Sequence, residues 1–331
     1  MTADSLSVTS GARAVFWEAG AVVLVGEARA VAAQWVAAHA PGCGAFLTGS
    51  STVLPLDVLL PAASDVDVVV VVVDGPAPPK LGKLLWRGVL LDVSYVSTRD
   101  IANPDAVSFH LAPNFASGQF LADPTGHLGR LRDAIAPGFA SSEAVRARCA
   151  SVAATISRRL AALDPAAPWP SLVTAWLFPT SLTAVVPMVA ALRTPTVRLR
   201  YLAARELLPP SMYERLLELL GCATVDRDVV AGHLDRLADV FDRTAAVAPS
   251  AEIGPAARPV AIGGSRELVE RGDHREAVFW IVATWARCEA AESPGFQAMT
   301  ADLTGLAGPA TLLDRRDTVV AFLPSLLEEV R

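Results

Sequence analysis

Apolar positions recur at helical spacing in EARAVAAQWVAAH, and Pro41-Gly42 stops the pattern, which predicts a helix over residues 27–39. GAFLTGSS then reads as a short strand ending in a tight turn, followed by a loop or short helix that contains Asp57. In SDVDVVVVVVD the valine run has strand length and no alternation, so this strand is expected to be buried on both faces. The Pro/Gly segment DGPAPPK separates it from LLWRGVLLDVSYVS, whose β-branched and aromatic residues predict one further strand over residues 84–97. GQFLADPTG predicts a short strand ending at Asp123, with a helix over residues 127–135 and Asp123 placed to form the turn or cap before it.

After Pro137-Gly138 the pattern is helical to the end of the chain. EAVRARCASVAATISRRLAAL, PPSMYERLLELLGC and GDHREAVFWIVATWARCEAAE are the clearest cases, and residues 246–264 read as a Pro/Gly-rich loop between helices. The expected fold class is therefore α+β: a mixed sheet with flanking helices over residues 1–138, then an all-helical domain over residues 139–331. One uncharged stretch, SLVTAWLFPTSLTAVVPMVAAL at residues 171–192, has roughly bilayer-spanning length. Pro179 and Pro187 interrupt it, so it reads as buried core helices and not as a membrane span.

Composition narrows the class. With 52% hydrophobic and 19% charged residues the chain can bury a sizeable core. Its net charge of -6 argues against a non-specific nucleic-acid binder. Nearly all the basic residues are arginine; the only lysines are Lys80 and Lys83, which reads as the bias of a GC-rich genome. Cys43, Cys149, Cys222 and Cys288 are scattered without a CxxC, which fits reduced thiols and no zinc site. MTADSLSVTSGARAV lacks the basic start and apolar stretch of a signal peptide, so the expected location is cytoplasmic.

The candidate chemistry lies at the mouth of the valine run. Asp65 and Asp67 are two residues apart, so on a strand they share a face. Two carboxylates so placed repel unless a cation sits between them. Mg²⁺ suits such a pair, since it takes oxygen ligands and is commonly held by one or two carboxylates plus substrate phosphates. Gly49 and Ser50 end the preceding strand, and Asp92 lies on the following one.

This ordered set, a strand ending in Gly-Ser, then Asp-x-Asp opening an apolar strand, then an aspartate on a neighbouring strand, resembles the DNA polymerase beta-like nucleotidyltransferase superfamily. The resemblance covers roughly residues 45–123, and the two-part layout looks like the small-molecule branch that includes kanamycin-type aminoglycoside nucleotidyltransferases. The segment between Ser51 and Asp65 is longer and more apolar than that family's pattern. The resemblance implies a nucleotidyltransferase-type sheet and a helical half that completes the acceptor site. It also implies Asp65, Asp67 and Asp92 holding Mg²⁺, with two ions expected, Asp92 helping to activate the attacking hydroxyl, and Gly49, Ser50 and Ser51 cradling phosphate. Glu276, in a helix that also carries Trp280 and Arg287, is the candidate base by the same resemblance. The activity it implies is transfer of a nucleoside monophosphate, with ATP the expected donor, to a hydroxyl of a small molecule such as an aminoglycoside-like antibiotic. Nucleotidylation of a protein or tRNA and non-enzymatic nucleotide binding are the alternatives.

Further candidates are weaker. Arg193, Arg198, Arg200 and Arg205 offer a triphosphate clamp or a solvated helix face. His110 and Asn114 are candidate pocket residues. An EF-hand is excluded because Val69 occupies its third ligand position, and no GxxxxGK[ST] phosphate loop is present.

Overall fold

A strand with valine on both faces needs a cover on each side. β2, Val66–Val72, has both: Val68, Val69, Val70 and Val71 are all buried in the computed structural model, which describes residues 23–73, 75–104, 107–288 and 294–331. The N-terminal stretch MTADSLSVTSGARAV and the end of GDHREAVFWIVATWARCEAAE lie outside the described residues. β2 is the middle strand of a five-stranded mixed sheet ordered β3-β4-β2-β1-β5, with β1 at Gly44–Thr48, β3 at Gly82–Trp86, β4 at Val89–Ser97 and β5 at Phe120–Ala122. β2 runs parallel to β4 and antiparallel to β1; β3 runs antiparallel to β4, and β5 antiparallel to β1.

Each sheet face has its own apolar layer. On one, Leu47, Val66, Val68, Val70, Leu91 and Val93 pack against Ala28, Ala32, Trp35 and Val36 of helix α1, Val25–His39. On the other, Phe46, Val69 and Val71 meet Phe115 of α2, Ala112–Ser117, and Leu128 and Leu131 of α3, His127–Ile135. Asp123 accepts from the backbone N–H groups of Leu128 (3.2 Å) and Gly129 (2.8 Å), the helix-capping role expected of it.

The predicted single strand over residues 84–97 is instead a hairpin of β3 and β4. Arg87 (φ 48°) and Gly88 (φ 79°) form a two-residue turn with two left-handed residues, the type that matches strand twist. Arg-Gly is a less familiar signal for that turn than Asn-Gly, so the apolar residues on either side read as continuous. The hairpin also starts the first strand at Gly82, which brings Lys83 into the sheet.

The helical part comprises α4 (Ser142–Ala161), α5 (Trp169–Ser181), α6 (Val185–Ala190), α7 (Arg200–Arg205), α8 (Pro210–Leu220), α9 (Arg227–Val247), α10 (Gly264–Glu270), α11 (His274–Cys288), α12 (Pro294–Thr304) and α13 (Pro309–Glu329). They surround one apolar core that includes Trp176, Leu177, Tyr201, Phe241 and Phe279, and Phe109 from the sheet half joins it. The segment Trp169–Ala190 is long and apolar enough to cross a membrane, but 83% of its most apolar window is buried inside the protein, as the broken core helices α5 and α6. Residues 246–264 are less loop-like than expected: Pro255–Ala257 forms a 3₁₀ turn and Pro259–Gly263 a π-helical turn leading into α10, each with proline in its first turn.

The hairpin turn is testable. Gly88→Val places a β-branched residue at positive φ and is expected to cost about 1–2 kcal/mol, read as a lowered urea midpoint with an unchanged m-value.

Candidate functional site

Strand register assembles the site. Thr48 of β1 pairs with Asp67 of β2, Asp67 with Asp92 of β4, and Asp92 with Lys83 of β3. Paired residues in neighbouring strands project to the same face, so these four form a row across the sheet. Asp65, two residues before Asp67, joins the same face. One ligand oxygen from each of Asp65, Asp67 and Asp92 can be chosen so that all lie within 4.8 Å of one another.

This row is the floor of a cleft of about 470 Å³ between the sheet and the helical part. Thr48, Gly49, Ser50 and Ser94 line it with the carboxylates on the sheet side; Phe178, Arg198, Trp280 and Arg287 line it from the helical part, and His110 and Glu252 also line it. Burial, then the nearby Arg200 and Arg159, depresses the His110 pKa to about 4, so this imidazole is neutral at physiological pH.

Two ammonium groups compensate the carboxylates. Lys83 Nζ lies 2.5 Å from Asp92 Oδ2 and 2.7 Å from Asp65 Oδ2. Lys80 Nζ lies 2.9 Å from Asp92 Oδ2 and 2.7 Å from Glu252 Oε1. Burial opposes the charge on Lys83, but the carboxylates of Asp65 and Asp92 outweigh it and hold the ammonium well above its ordinary pKa. Burial likewise opposes ionisation of Asp92, and Lys83 and Lys80 overcome that, keeping it below the ordinary carboxylate value. Asp67 is different. No donor among the described residues reaches it, and burial, followed by the charges of Asp65 and Asp92, raises its pKa well above the ordinary value.

Gly49 makes room for that carboxylate. It has φ 71°, and a Cβ there would lie 1.9 Å from Asp67 Oδ2. The following 3₁₀ turn, Ser50–Thr52, is fixed from behind: Arg29 donates to the Ser51 carbonyl (2.8 Å from Nε), Thr52 Oγ1 to the Gly49 carbonyl (2.7 Å), and Gln119 Nε2 to the Thr52 carbonyl (2.8 Å).

The structure brings Gly49, Ser50, Asp65, Asp67 and Asp92 together. Ser51 is not part of the cleft wall; it is fully buried, and its hydroxyl faces the Thr48 carbonyl. Glu276 is also elsewhere. It is buried on α11 one turn from Trp280, accepting a hydrogen bond from Tyr213 Oη and pairing with Arg205 at 3.1 Å. Of the four arginines offered as a clamp, only Arg198 reaches the cleft, where it donates to the carbonyls of Ala63 (3.1 Å) and Gly264 (3.2 Å) and so ties the floor to the helical wall. Arg200 is buried against Phe279 and bonded to Ser181 Oγ, Arg193 pairs with Glu206, and Arg205 pairs with Asp273. Asn114 is buried in α2, donating to the His110 carbonyl.

Lys80, Lys83 and Glu252 were not legible as site residues. The available signal was compositional: both lysines of an arginine-rich chain fall three residues apart, just before the strand that carries Asp92. Glu252 carried no comparable mark; it arrives because the Ala251 carbonyl accepts from Lys83 N–H at 3.4 Å along the free edge of β3.

The donor set fits a divalent cation. It consists of hard carboxylate oxygens, Asp67 is unpaired, and Asp92 Oδ1 is buried with no hydrogen-bond partner.

The raised Asp67 pKa sets a pH dependence. In acid, Asp67 is protonated in both folded and unfolded chains and costs nothing. As pH rises through the ordinary carboxylate range the unfolded chain loses this proton first, and folding then loses stability up to the raised folded-state pKa. With chelator present, Asp67→Asn is expected to match wild type in acid and to melt higher at neutral pH, by roughly 2–4 °C for each kcal/mol of relieved repulsion. Scanning calorimetry across pH measures the difference.

No family model, curated protein or solved structure matches the chain, so what the site does is read from its own residues.

Proposed function

We propose that the protein is a Mg²⁺-dependent nucleotidyltransferase, moving a nucleoside monophosphate from a nucleoside triphosphate, with ATP the expected donor, to a hydroxyl of a small molecule. The observation that carries this reading is the convergence of Asp65, Asp67 and Asp92 at one end of a cleft, beside the Gly49-Ser50 turn. This is the constellation the nucleotidyltransferase resemblance implies, and the mixed sheet followed by helices is the layout that goes with it.

Asp65, Asp67 and Asp92 would hold Mg²⁺. When bound, the ion supplies charge neutralisation for the triphosphate and its leaving pyrophosphate. The chain's own residues do the rest. The bare Cα of Gly49 and the Ser50 hydroxyl border the space for phosphate oxygens. Asp92, whose pKa Lys83 and Lys80 hold below the ordinary carboxylate value in the metal-free site, is the carboxylate that would help to activate the attacking hydroxyl. That role does not fall to Glu276, which is committed to Tyr213 and Arg205. Trp280 and Phe178 offer aromatic surface for a base, and Arg287 faces the same space. The Arg287 guanidinium makes no hydrogen bond or ion pair among the described residues and lies over the Phe178 (5.4 Å) and Trp280 (5.1 Å) rings, leaving its donors for an anion.

The charge pattern bears on the acceptor. The other carboxylate in the cleft, Glu252, is engaged by Lys80, while the helical wall presents Arg198 and Arg287. A neutral or acidic hydroxylated acceptor therefore suits this wall better than a polycation such as an aminoglycoside.

The test is pyrophosphate release with Mg²⁺, each of the four NTPs and a panel of hydroxylated small molecules. Release is expected to require one acceptor and to fall by at least about 10²–10³-fold in Asp67→Asn. NTP binding without release on any acceptor would favour the nucleotide-binding alternative, and absence of Mg²⁺-dependent NTP binding would overturn the proposal. Separately, Arg287→Gln is expected to weaken nucleotide binding by about 10–100-fold, the value of a hydrogen bond to a charged group, while leaving the melting temperature within about 2 °C of wild type.

A further inference from the structure

Lys83 sits where a cation belongs. Its ammonium bridges Asp65 Oδ2 and Asp92 Oδ2, and Lys80 shares that same Asp92 oxygen. Mg²⁺ demands close, nearly octahedral oxygen ligands and cannot take these oxygens while an ammonium remains at 2.5–2.7 Å from them. The oxygens that carry no ammonium are those of Asp67, Asp65 Oδ1 and Asp92 Oδ1, and an ion drawn to them would sit beside the charge that Lys83 places between Asp65 and Asp92.

The choice of residue points the same way. Elsewhere in this chain every permanently cationic side chain is arginine; the two lysines are both here. An arginine fork would lock two carboxylates bidentately, whereas an ammonium is a compact charge on a flexible stem that can change partners. The stem of Lys83 is almost enclosed and that of Lys80 partly exposed, and both line the cleft.

We propose that Lys83, with Lys80 beside it, is a resident counter-ion that holds Asp65 and Asp92 together next to Asp67 without metal and must be displaced for the metal to enter. The displaced ammonium is taken up by the nucleotide's phosphates in the same cleft, so metal and nucleotide bind cooperatively and neither loads firmly alone. This rests on reading Asp65, Asp67 and Asp92 as a divalent-metal site.

The test is isothermal titration of Mn²⁺ into wild-type, Lys83→Met and Lys80→Met protein, with and without the non-transferable analogue α,β-methylene-ATP. Without nucleotide, Lys83→Met is expected to bind Mn²⁺ about tenfold more tightly than wild type, and the analogue to tighten Mn²⁺ binding at least about fivefold in wild type but much less in Lys83→Met. Equal or weaker Mn²⁺ binding by Lys83→Met, with wild type binding Mn²⁺, would overturn the counter-ion role and leave the metal site standing. No Mn²⁺ binding by wild type or either variant, with or without analogue, would overturn the metal-site reading and this proposal with it. Unmodified protein gives a second measurement that needs no folded variant. Because the chain has only two lysines, acylation by an amine-reactive ester can be followed at each by mass spectrometry. Lys83 labelling is expected to be slow in the metal-free protein and to change severalfold when Mn²⁺ and the analogue are added together. Labelling that stays unchanged in a protein that binds both would overturn the displacement.

Discussion

Like charge on one sheet face is the constraint around which the sheet half of this molecule is arranged. Two unit charges about 4 Å apart repel by about 4 kcal/mol at the dielectric typical of a protein surface, and the site collects three aspartates at such distances. Lys83 and Lys80 offset part of the repulsion. The remainder appears in Asp67, whose pKa rises because burial and two carboxylate neighbours act on it with no donor to help. A chain that keeps such a cluster gives up stability that an apolar replacement would recover. That loss is intelligible if the carboxylates serve a ligand.

The sheet supplies the rigidity that this arrangement needs. Asp67 and Asp92 are neighbours through the one parallel pairing in the sheet, flanked by antiparallel strands that bring Thr48 and Lys83 into the same row. Apolar layers on both faces fix β2, so the carboxylates cannot separate by bending the strand away. The helical part closes the cleft through side chains from α5 and α11 and from the segment before α7, and Arg198 joins it to the Ala63 carbonyl just ahead of β2. Floor and wall therefore come from distant parts of the chain but are hydrogen-bonded to each other beside the first carboxylate.

Legibility followed physical range. Helical and strand periods are local, so α1, β1, β2, β5, α3, α4, α8 and α11 were readable from spacing alone, as was the broken, buried character of residues 171–192. Asp65 and Asp67 were readable because alternation on one strand places them on one face whatever surrounds them. The hairpin turn at Arg87-Gly88 was not, because its signal is two positive φ angles that the residue pair only weakly implies, and with it went the placement of Lys83 opposite Asp92. Ser51 and Glu276 illustrate the opposite error: sequence proximity to the motif, or to an aromatic helix face, says nothing about which way a side chain is buried.

By itself the sequence determined that a sheet-forming part precedes a helical one, that β2 is covered on both faces, and that Asp65 and Asp67 lie side by side at its mouth. These follow from residue periodicity and from the cost of exposing apolar surface or burying unpaired charge. Only the tertiary structure decided that Lys83 and Lys80 serve as the counter-charges, that Arg198 and Arg287 reach the cleft while Arg200 is walled in, and that Glu276 belongs to Tyr213 and Arg205. Those are matters of strand register, turn handedness and helix packing, which depend on contacts between residues tens to hundreds of positions apart and leave no local pattern to read.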